Sequence, residues 1–173
     1  MKSPNFTKGN SGISLYVIHK TMGSYVGAVE WLSKPPEKRV PVSWSSAHFV
    51  IDRNGEWTQL VSIKDTAWHC GTVSAPTEYA KTLLKKNILG VYINPNSYSI
   101  GIELVGMFTD DITEAQVTAT AQIILSIGTQ PILTHKEITV GKSDFIKNGA
   151  IDTSPRERIQ ARIEQLTTKL NIF

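Results

Sequence analysis

Two of the four histidines in this chain of 173 residues close short apolar segments that are predicted to be strands. His19 ends segment 13–19, and His135 ends segment 131–135. Because ligands of open sheets gather beyond the carboxyl ends of the strands, the two imidazoles could meet at one edge and bind a metal ion there. A histidine at the end of a strand is also a common surface or core residue, so the pair alone leaves both interpretations open.

A carboxylate also occurs inside an apolar segment. Glu103 lies within residues 99–105, and an ionised carboxylate that is buried without a partner is strongly disfavoured. Glu103 is therefore expected to pair with a cation or to line a cleft in which its charge is used. An edge strand on which Glu103 faces water is the alternative. Gly101, two residues earlier, would allow a ligand or another stretch of backbone to approach closely.

A second carboxylate could complete a metal site. Asp144 follows His135 by nine residues, across a loop that contains glycine. Two histidines and one carboxylate, with a fourth position left to water, are typical of catalytic zinc. Lys142 would then lie beside the metal, although a solvated loop lysine is the ordinary alternative. Cys70 is the only cysteine, so an intrachain disulfide is excluded and a metal site would rely on histidines and carboxylates.

The elements that must position these residues alternate between strands and helices. Strands are predicted at 13–19, 47–51, 57–60, 99–105 and 131–135, and helices at 24–32, 78–86, 113–127 and from a cap at 152–155 to about 170. Asn54-Gly55 predicts a hairpin turn, so the sheet cannot be wholly parallel. The predicted fold class is α/β: a single domain over residues 1–173, with its core at about 13–170 and a central mixed sheet flanked by helices.

Composition limits the classes of partner. The formal charge of +3 suits an anionic polymer, but it fits a slightly basic surface with no dedicated partner equally well. No basic block or basic-aromatic stripe supports nucleic-acid binding. No apolar run of 18 residues predicts a membrane span, and the N-terminus lacks the apolar stretch of a secretory leader. The expectation is a protein that is cytoplasmic at synthesis, without a signal peptide.

Five stretches of the sequence, in order, resemble the type 2 N-acetylmuramoyl-L-alanine amidases. This family includes phage endolysins, cytoplasmic recycling amidases and peptidoglycan recognition proteins. The resemblance covers roughly residues 15 to 165, and its motifs lie at 16–21, 46–55, 67–71, 96–106 and 134–138.

The resemblance implies a zinc site and names its ligands. His19 and His135 match the family's two histidine ligands, and Asp144 is the best match to the third. The family's usual Pro-Gly turn does not follow Asp144, which makes Asp152 a competing ligand. We prefer Asp144 because it preserves the spacing to Lys142, which falls where the family often carries a lysine that stabilises the oxyanion, and because Asp152 already serves as a helix cap.

Further roles are also implied by the resemblance. Glu103 matches a glutamate that the recycling enzymes place near the water that attacks the amide, and His69 matches a histidine that lines the substrate cleft. His48 is expected to be structural. Ala47 replaces a tyrosine that some phage members use in catalysis, so Glu103 would act as the general base alone.

The implied function is zinc-dependent hydrolysis of the amide bond between N-acetylmuramic acid and L-alanine in peptidoglycan. A monomeric phage endolysin is the favoured setting: it would lyse the bacterial wall after a separate membrane-permeabilising protein had released it from the host cytoplasm. Three alternatives remain open. They are a cytoplasmic amidase that recycles anhydro-muropeptides, a non-catalytic module that binds peptidoglycan, and a metal hydrolase that acts on another amide.

Overall fold

A central sheet and the helices on its two faces organise the molecule. The computed structural model describes residues 2–107, 110–147 and 149–170. Within these residues the strands are β1 (Phe6–Thr7), β2 (Leu15–Thr21), β3 (Phe49–Ile51), β4 (Trp57–Gln59), β5 (Thr66–Ala67), β6 (Ser99–Val105), β7 (Ile132–Thr134), β8 (Ile146–Lys147) and β9 (Ala150–Ile151). The α-helices are α1 (Tyr25–Ser33), α2 (Glu78–Leu83), α3 (Glu114–Ile127), α4 (His135–Ile138) and α5 (Ser154–Leu170).

The sheet is mixed, as the hairpin signal predicts. Five strands follow the order β4-β3-β6-β2-β7 in the part of the chain described here. β2 lies parallel to both β6 and β7, and β3 lies parallel to β6. Only the hairpin partner β4 runs antiparallel, next to β3. The prediction of an α/β domain built on a mixed sheet with flanking helices is confirmed.

The two faces of the sheet pack on different helices. One face meets α3 and α5 in a cluster that includes Tyr16, Ile18, Ile100, Ile102, Leu104, Ile124 and Ile159. The other face meets α1 and α2 in clusters that include Leu15, Val17, Ala80, Leu32 and Val50. Because side chains alternate along a strand, His19 shares this second face with Val17. Glu103 pairs with His19 in the register of β2 and β6, so it lies on the same face.

Two predicted boundaries next to the site differ from the structure. β2 extends to Thr21, so His19 lies inside the strand rather than at its end. β7 ends at Thr134, and His135 is the first residue of α4. The change of direction is fixed by a capping box, in which the Thr134 side chain accepts from the Glu137 N–H and the Glu137 carboxylate accepts from the Thr134 N–H.

The longer helices begin at polar caps. The Ser24 side chain accepts from the N–H of Gly27 at the start of α1, and Thr113 forms a capping box with Gln116 at the start of α3. Among the helices in the described ranges, none is both long enough and apolar enough to cross a bilayer.

Candidate metal centre

Three predicted ligands converge near the carboxyl ends of β2 and β7. The Nδ1 atoms of His19 and His135 are 3.0 Å apart. The Oδ2 atom of Asp144 lies 3.2 Å from Nδ1 of His135 and 3.7 Å from Nδ1 of His19. Both histidines are buried, and the Asp144 side chain is 15% exposed. The sequence places these residues up to 125 positions apart, and parallel strands bring them to one edge.

The protonation of His135 is set by a backbone oxygen. Its Nε2 atom lies 2.9 Å from the carbonyl oxygen of Cys70. A carbonyl oxygen only accepts, so Nε2 carries the hydrogen. In the neutral ring, Nδ1 then presents a lone pair to His19 and Asp144. Orientation of a histidine ligand through its other ring nitrogen is the usual arrangement at metal sites.

The protonation of His19 is set by a longer chain of hydrogen bonds. Ser99 Oγ donates to the carbonyl oxygen of Pro95 at 2.7 Å, so it accepts from His69 Nε2 at 3.2 Å. His69 Nδ1 is then the acceptor for His19 Nε2–H at 3.0 Å. The remaining nitrogen of His19, Nδ1, therefore also presents a lone pair to the centre. Two imidazoles and one carboxylate thus face one another through acceptor atoms.

The electrostatics of His19 and Asp144 favour this state. Burial and the neighbouring His135 lower the pKa of His19 to about 4. Burial opposes ionisation of Asp144, but the two neighbouring imidazoles of His135 and His19 outweigh it and hold the pKa of this carboxyl well below its usual range. Acceptor atoms brought within 4 Å repel one another unless a cation lies between them. Neutral imidazoles and an ionised carboxylate are also the forms that bind a metal ion.

The donor set therefore fits zinc. One atom from each of His19, His135 and Asp144 falls within a group less than 4.8 Å across. Nitrogen and oxygen ligands of this kind, three in number, match catalytic zinc. His19, His69 and Cys70 form a second such group. It fits less well, because Nε2 of His19 already donates to His69 and because burial raises the pKa of the Cys70 thiol far above neutrality.

His69, which the resemblance implies lines the substrate cleft, lies next to His19. Its ring is 8% exposed and sits behind His19, directly over Gly101 in β6. A Cβ atom on Gly101 would lie 2.4 Å from Cγ of His69, so only glycine leaves room for the ring. The close approach expected at Gly101 is therefore made by an imidazole. This packing gives His69 a direct contact with a candidate ligand.

His48 also contacts β6, through the backbone of Gly101. Its Nδ1 atom accepts from the Gly101 N–H at 3.0 Å, and its Nε2 atom lies 3.0 Å from the carbonyl oxygen of Asp65. Burial lowers the pKa of His48 to about 4, so the ring is neutral at pH 7. These contacts join β6 to the loop that follows β4. They agree with the structural role expected for this residue.

Glu103, which pairs with His19 in the register of β2 and β6, lines a cavity of about 540 Å³. Residues of α1, including Gly27 and Trp31, form the opposite wall of the cavity. Burial, together with the negative charge of Asp144, raises the pKa of Glu103 to about 8. A carboxyl group with a pKa near neutrality can both accept and return a proton. The sequence-based expectation that Glu103 lines a cleft agrees with this position.

The two remaining candidate residues, Lys142 and Asp152, lie in different surroundings. Lys142 is exposed in the loop before Asp144, and its positive charge helps to lower the pKa of His19, so it lies within electrostatic reach of the centre. Asp152, the competing ligand, instead accepts at Oδ1 from the Ser154 N–H at 3.0 Å and caps α5. In the described ranges it belongs to neither group of possible metal ligands.

Sequence reasoning missed the groups that orient the ligands. Asn96 accepts through Oδ1 from the backbone N–H of both His69 and Cys70, at 3.1 and 2.7 Å. The Asn96 side chain therefore fixes the backbone that positions both the His69 ring and the Cys70 carbonyl group. The Asn94-Pro95-Asn96 loop is visible in the sequence as a turn, but no local pattern indicates that it contacts residues about 26 positions earlier.

Known proteins resemble this chain in sequence and fold. Residues 9–155 match the family described as N-acetylmuramoyl-L-alanine amidase. The chain is 30% identical over 128 residues to N-acetylmuramoyl-L-alanine amidase A of Achromobacter lyticus, across 72% of this chain and only 56% of that protein's length. It is 29% identical over 174 residues to the 1,6-anhydro-N-acetylmuramyl-L-alanine amidase AmpD of Haemophilus influenzae, across 92% and 82% of the two chains. A crystal structure of an AmpD selenomethionine derivative matches with a TM-score of 0.64 and 23% identity over 92% of each chain.

Proposed function

Because this chain belongs to the N-acetylmuramoyl-L-alanine amidase family, we propose that it hydrolyses the amide bond between N-acetylmuramic acid and L-alanine in peptidoglycan and that it requires zinc. One observation supports the zinc requirement. Three acceptor atoms, from His19, His135 and Asp144, lie within 3.0 to 3.7 Å of one another. The Achromobacter lyticus and Haemophilus influenzae relatives support the choice of bond, since their names describe amidases of this kind.

The three groups would hold the zinc ion through two imidazole nitrogens and one carboxylate oxygen. A zinc ion bound there would supply the Lewis acidity that polarises an amide carbonyl and makes water acidic enough to attack near neutral pH. The protein supplies the orientation of these ligands, through the Cys70 carbonyl behind His135 and through His69 behind His19.

The proton transfers fall to Glu103. Its carboxylate would accept a proton from the attacking water and deliver it to the amine that leaves. Burial and the charge of Asp144 raise the pKa of Glu103 to about 8, so the carboxylate form that accepts the proton becomes more populated as the pH rises toward 8. Lys142, which is exposed in the loop before Asp144, would stabilise the negative charge that develops on the carbonyl oxygen. Loss of an oxyanion donor typically lowers the rate by about 100-fold to 1,000-fold.

The test measures metal content and amide cleavage together. Digestion of purified peptidoglycan should release new N-terminal L-alanine, a chelator should stop the release, and added zinc should restore it. Glu103→Gln should retain zinc while turnover falls by about 100-fold or more. Near wild-type turnover of Glu103→Gln would show that another group is the base.

The third ligand is tested separately by two aspartate variants. Asp144→Ala should lose bound zinc, whereas Asp152→Ala should keep it and lose only about 1 kcal/mol of stability as a missing helix cap. The reverse outcome would assign the ligand to Asp152. Binding of peptidoglycan without any cleavage by the zinc-loaded protein would instead identify a binding module. Cleavage at a different amide would appear as a different new amino terminus in mass spectra.

Two biological settings suit this activity. In the first, the protein is a phage endolysin that is released to the wall through a separate membrane-permeabilising protein. In the second, it recycles anhydro-muropeptides in the cytoplasm, and the match to AmpD over most of both chains favours this candidate. Rates on intact sacculi and on anhydro-muropeptides distinguish them, because an endolysin should prefer the polymer and a recycling amidase the small anhydro sugar peptide.

A further inference from the structure

The segment that follows α2 folds into a small ordered projection. Lys86 and Tyr92 form an antiparallel bridge at its base. The N–H of Asn87 donates to the carbonyl oxygen of Val91 at 2.9 Å, and the Asn87 side chain accepts from the N–H groups of Leu89 and Val91 at 3.0 Å. The backbone of this turn is therefore held in one conformation by its own hydrogen bonds.

The side chains on this turn are apolar and face solvent. Ile88 is 102% exposed, Leu89 is 80% exposed and Val91 is 59% exposed. We call these three residues the apolar tip. Turns of this kind ordinarily carry polar residues, because water solvates them at no cost. A contiguous set of large aliphatic side chains on an ordered projection is instead typical of a surface that binds something.

Three lysines precede the apolar tip in the sequence, and one of them, Lys86, forms the bridge at its base. Lys81 lies on α2, and Lys85 and Lys86 lie between α2 and the turn; we call these three residues the basic collar. The Lys85 and Lys86 ammonium groups lie 4.8 and 4.7 Å from the ring centroids of Tyr98 and Tyr92. Glu78 pairs with Lys81 at 2.5 Å. No aspartate or glutamate occurs from residue 79 to residue 102, so no other acidic residue in this stretch offsets the basic collar.

We propose that the apolar tip and the basic collar bind the surface of an anionic membrane. Aliphatic side chains that project beyond lysines match the interface of a bilayer, where apolar groups enter the acyl boundary and lysines remain among anionic headgroups. A stable protein partner would need about 800 Å² of complementary surface on this side. Three convex side chains offer much less, whereas a lipid surface needs no matching cavity. This inference is independent of the amidase activity.

The strength of the interaction should depend on both parts. Each lysine near an anionic surface contributes about a fivefold gain in affinity at physiological salt. Each aliphatic side chain that leaves water adds a comparable or larger factor. Binding should therefore require anionic lipid, weaken with salt, and fall about tenfold or more when two tip residues become polar.

The experiment measures co-sedimentation of the full chain with vesicles of phosphatidylglycerol and phosphatidylcholine, and with vesicles of phosphatidylcholine alone. Ile88→Ser/Leu89→Ser removes the apolar tip. Val40→Ser/Val42→Ser is the matched control, because it removes two other exposed aliphatic side chains, which are 91% and 66% exposed. Lys85→Gln/Lys86→Gln reduces the basic collar. Circular dichroism of each variant establishes that it is folded.

Support requires that the wild type and the Val40/Val42 control bind anionic vesicles, and that the tip and collar variants bind about tenfold less. Equal binding by the tip variant, or no binding by the wild type, would overturn the proposal. Equal binding to neutral vesicles would overturn the part assigned to the lysines. Self-association that is abolished in the tip variant, measured by sedimentation velocity without lipid, would assign the surface to a second copy of the chain.

Discussion

At the scale of single residues, the candidate centre depends on groups that fix which nitrogen of each imidazole carries hydrogen. His69 Nδ1 accepts a hydrogen bond from His19 Nε2–H, and His69 Nε2–H donates to Ser99 Oγ. The Ser99 hydroxyl in turn donates to the carbonyl oxygen of Pro95. Without the His69 acceptor, His19 could adopt the other tautomer and present an N–H to the centre. Contacts of this kind behind a metal ligand commonly contribute 10-fold to 100-fold in metal affinity.

We therefore expect His69→Phe to weaken zinc binding by about 10-fold to 100-fold while the fold is retained. The affinity can be measured by competition with a chromogenic chelator. His48→Phe is the matched control, because His48 is another buried histidine on the same face and touches His69 but not the ligands. Unchanged zinc affinity in His69→Phe would rule out a positioning role and return His69 to the substrate cleft.

The sequence predicts most residues of the site but not the contacts behind them. His19, His135 and Asp144 are residue types that bind metal ions. Their convergence is predictable because ligands gather near the carboxyl ends of parallel strands. The orientation of the rings depends on a backbone oxygen of Cys70 and on the side chain of Asn96. Any residue has a carbonyl oxygen, and asparagine is common in turns. No residue type therefore distinguishes these positions in the sequence.

At the scale of elements, the short helix α4 positions the candidate ligand His135, which is its first residue. Glu137 accepts from Thr134 through both the backbone N–H and the hydroxyl group, at 2.8 and 3.2 Å. Its side chain is 2% exposed, and its other oxygen lies 3.6 Å from Nη2 of Arg156 on α5. The start of α4, where His135 lies, is therefore tied to α5 through one buried carboxylate.

Glu137→Ala should release this start of the helix. We expect a loss of about 1 to 3 kcal/mol in the free energy of unfolding, since it leaves the Thr134 N–H without its acceptor and removes the buried carboxylate that faces Arg156. Zinc affinity should fall as well, because His135 is the first residue of α4. Chemical denaturation and chelator competition measure the two effects. Glu157→Ala, which removes a weaker and exposed contact of Arg156, should change neither.

Element boundaries were predicted unevenly for physical reasons. Segment 99–105 was predicted at the observed ends, because its continuous apolar run is buried on both faces. The helix predicted over 78–86 ends at Leu83 instead. There the bridge between Lys86 and Tyr92 and the side chain of Asn87 provide the backbone with hydrogen bonds that do not need a helix. The helical periodicity of the sequence does not indicate that these other hydrogen bonds will replace those of a helix.

At the scale of the whole molecule, buried neutral histidines make stability depend on pH. His48 has a pKa of about 4 in the fold against its usual value of 6.5. Its contribution to stability is complete above pH 6.5 and is lost as the pH falls from 6.5 through 4, because the unfolded chain binds the proton more readily. The pKa difference corresponds to a contribution of roughly 3 kcal/mol.

His48→Asn tests this dependence, because the amide oxygen can still accept from the Gly101 N–H but does not titrate. Between pH 6.5 and 4, the free energy of unfolding of the metal-free wild type should fall more steeply than that of the variant. Denaturation at several pH values, in a chelating buffer, gives both curves. Parallel curves would mean that protonation of His48 is not coupled to unfolding.

The overall architecture was the most predictable level. Alternation of apolar segments with amphipathic ones favours an α/β sheet, and the Asn54-Gly55 turn accounts for the antiparallel β4. The sequence could not reveal the order of the strands. Placement of β6 between β3 and β2 is what sets Glu103 beside His19, and it depends on packing across the entire sheet.

The hydrogen bond from His135 to Cys70 has a consequence for genetic experiments. Its acceptor belongs to the peptide group, so exchanging the amino acid at position 70 cannot delete it. Replacement of Cys70 by the small residues alanine or serine would leave this carbonyl in place, so these substitutions would not test the hydrogen bond. Only a backbone edit, such as an ester in place of the amide or an altered chain length in this loop, would expose how much the site relies on it.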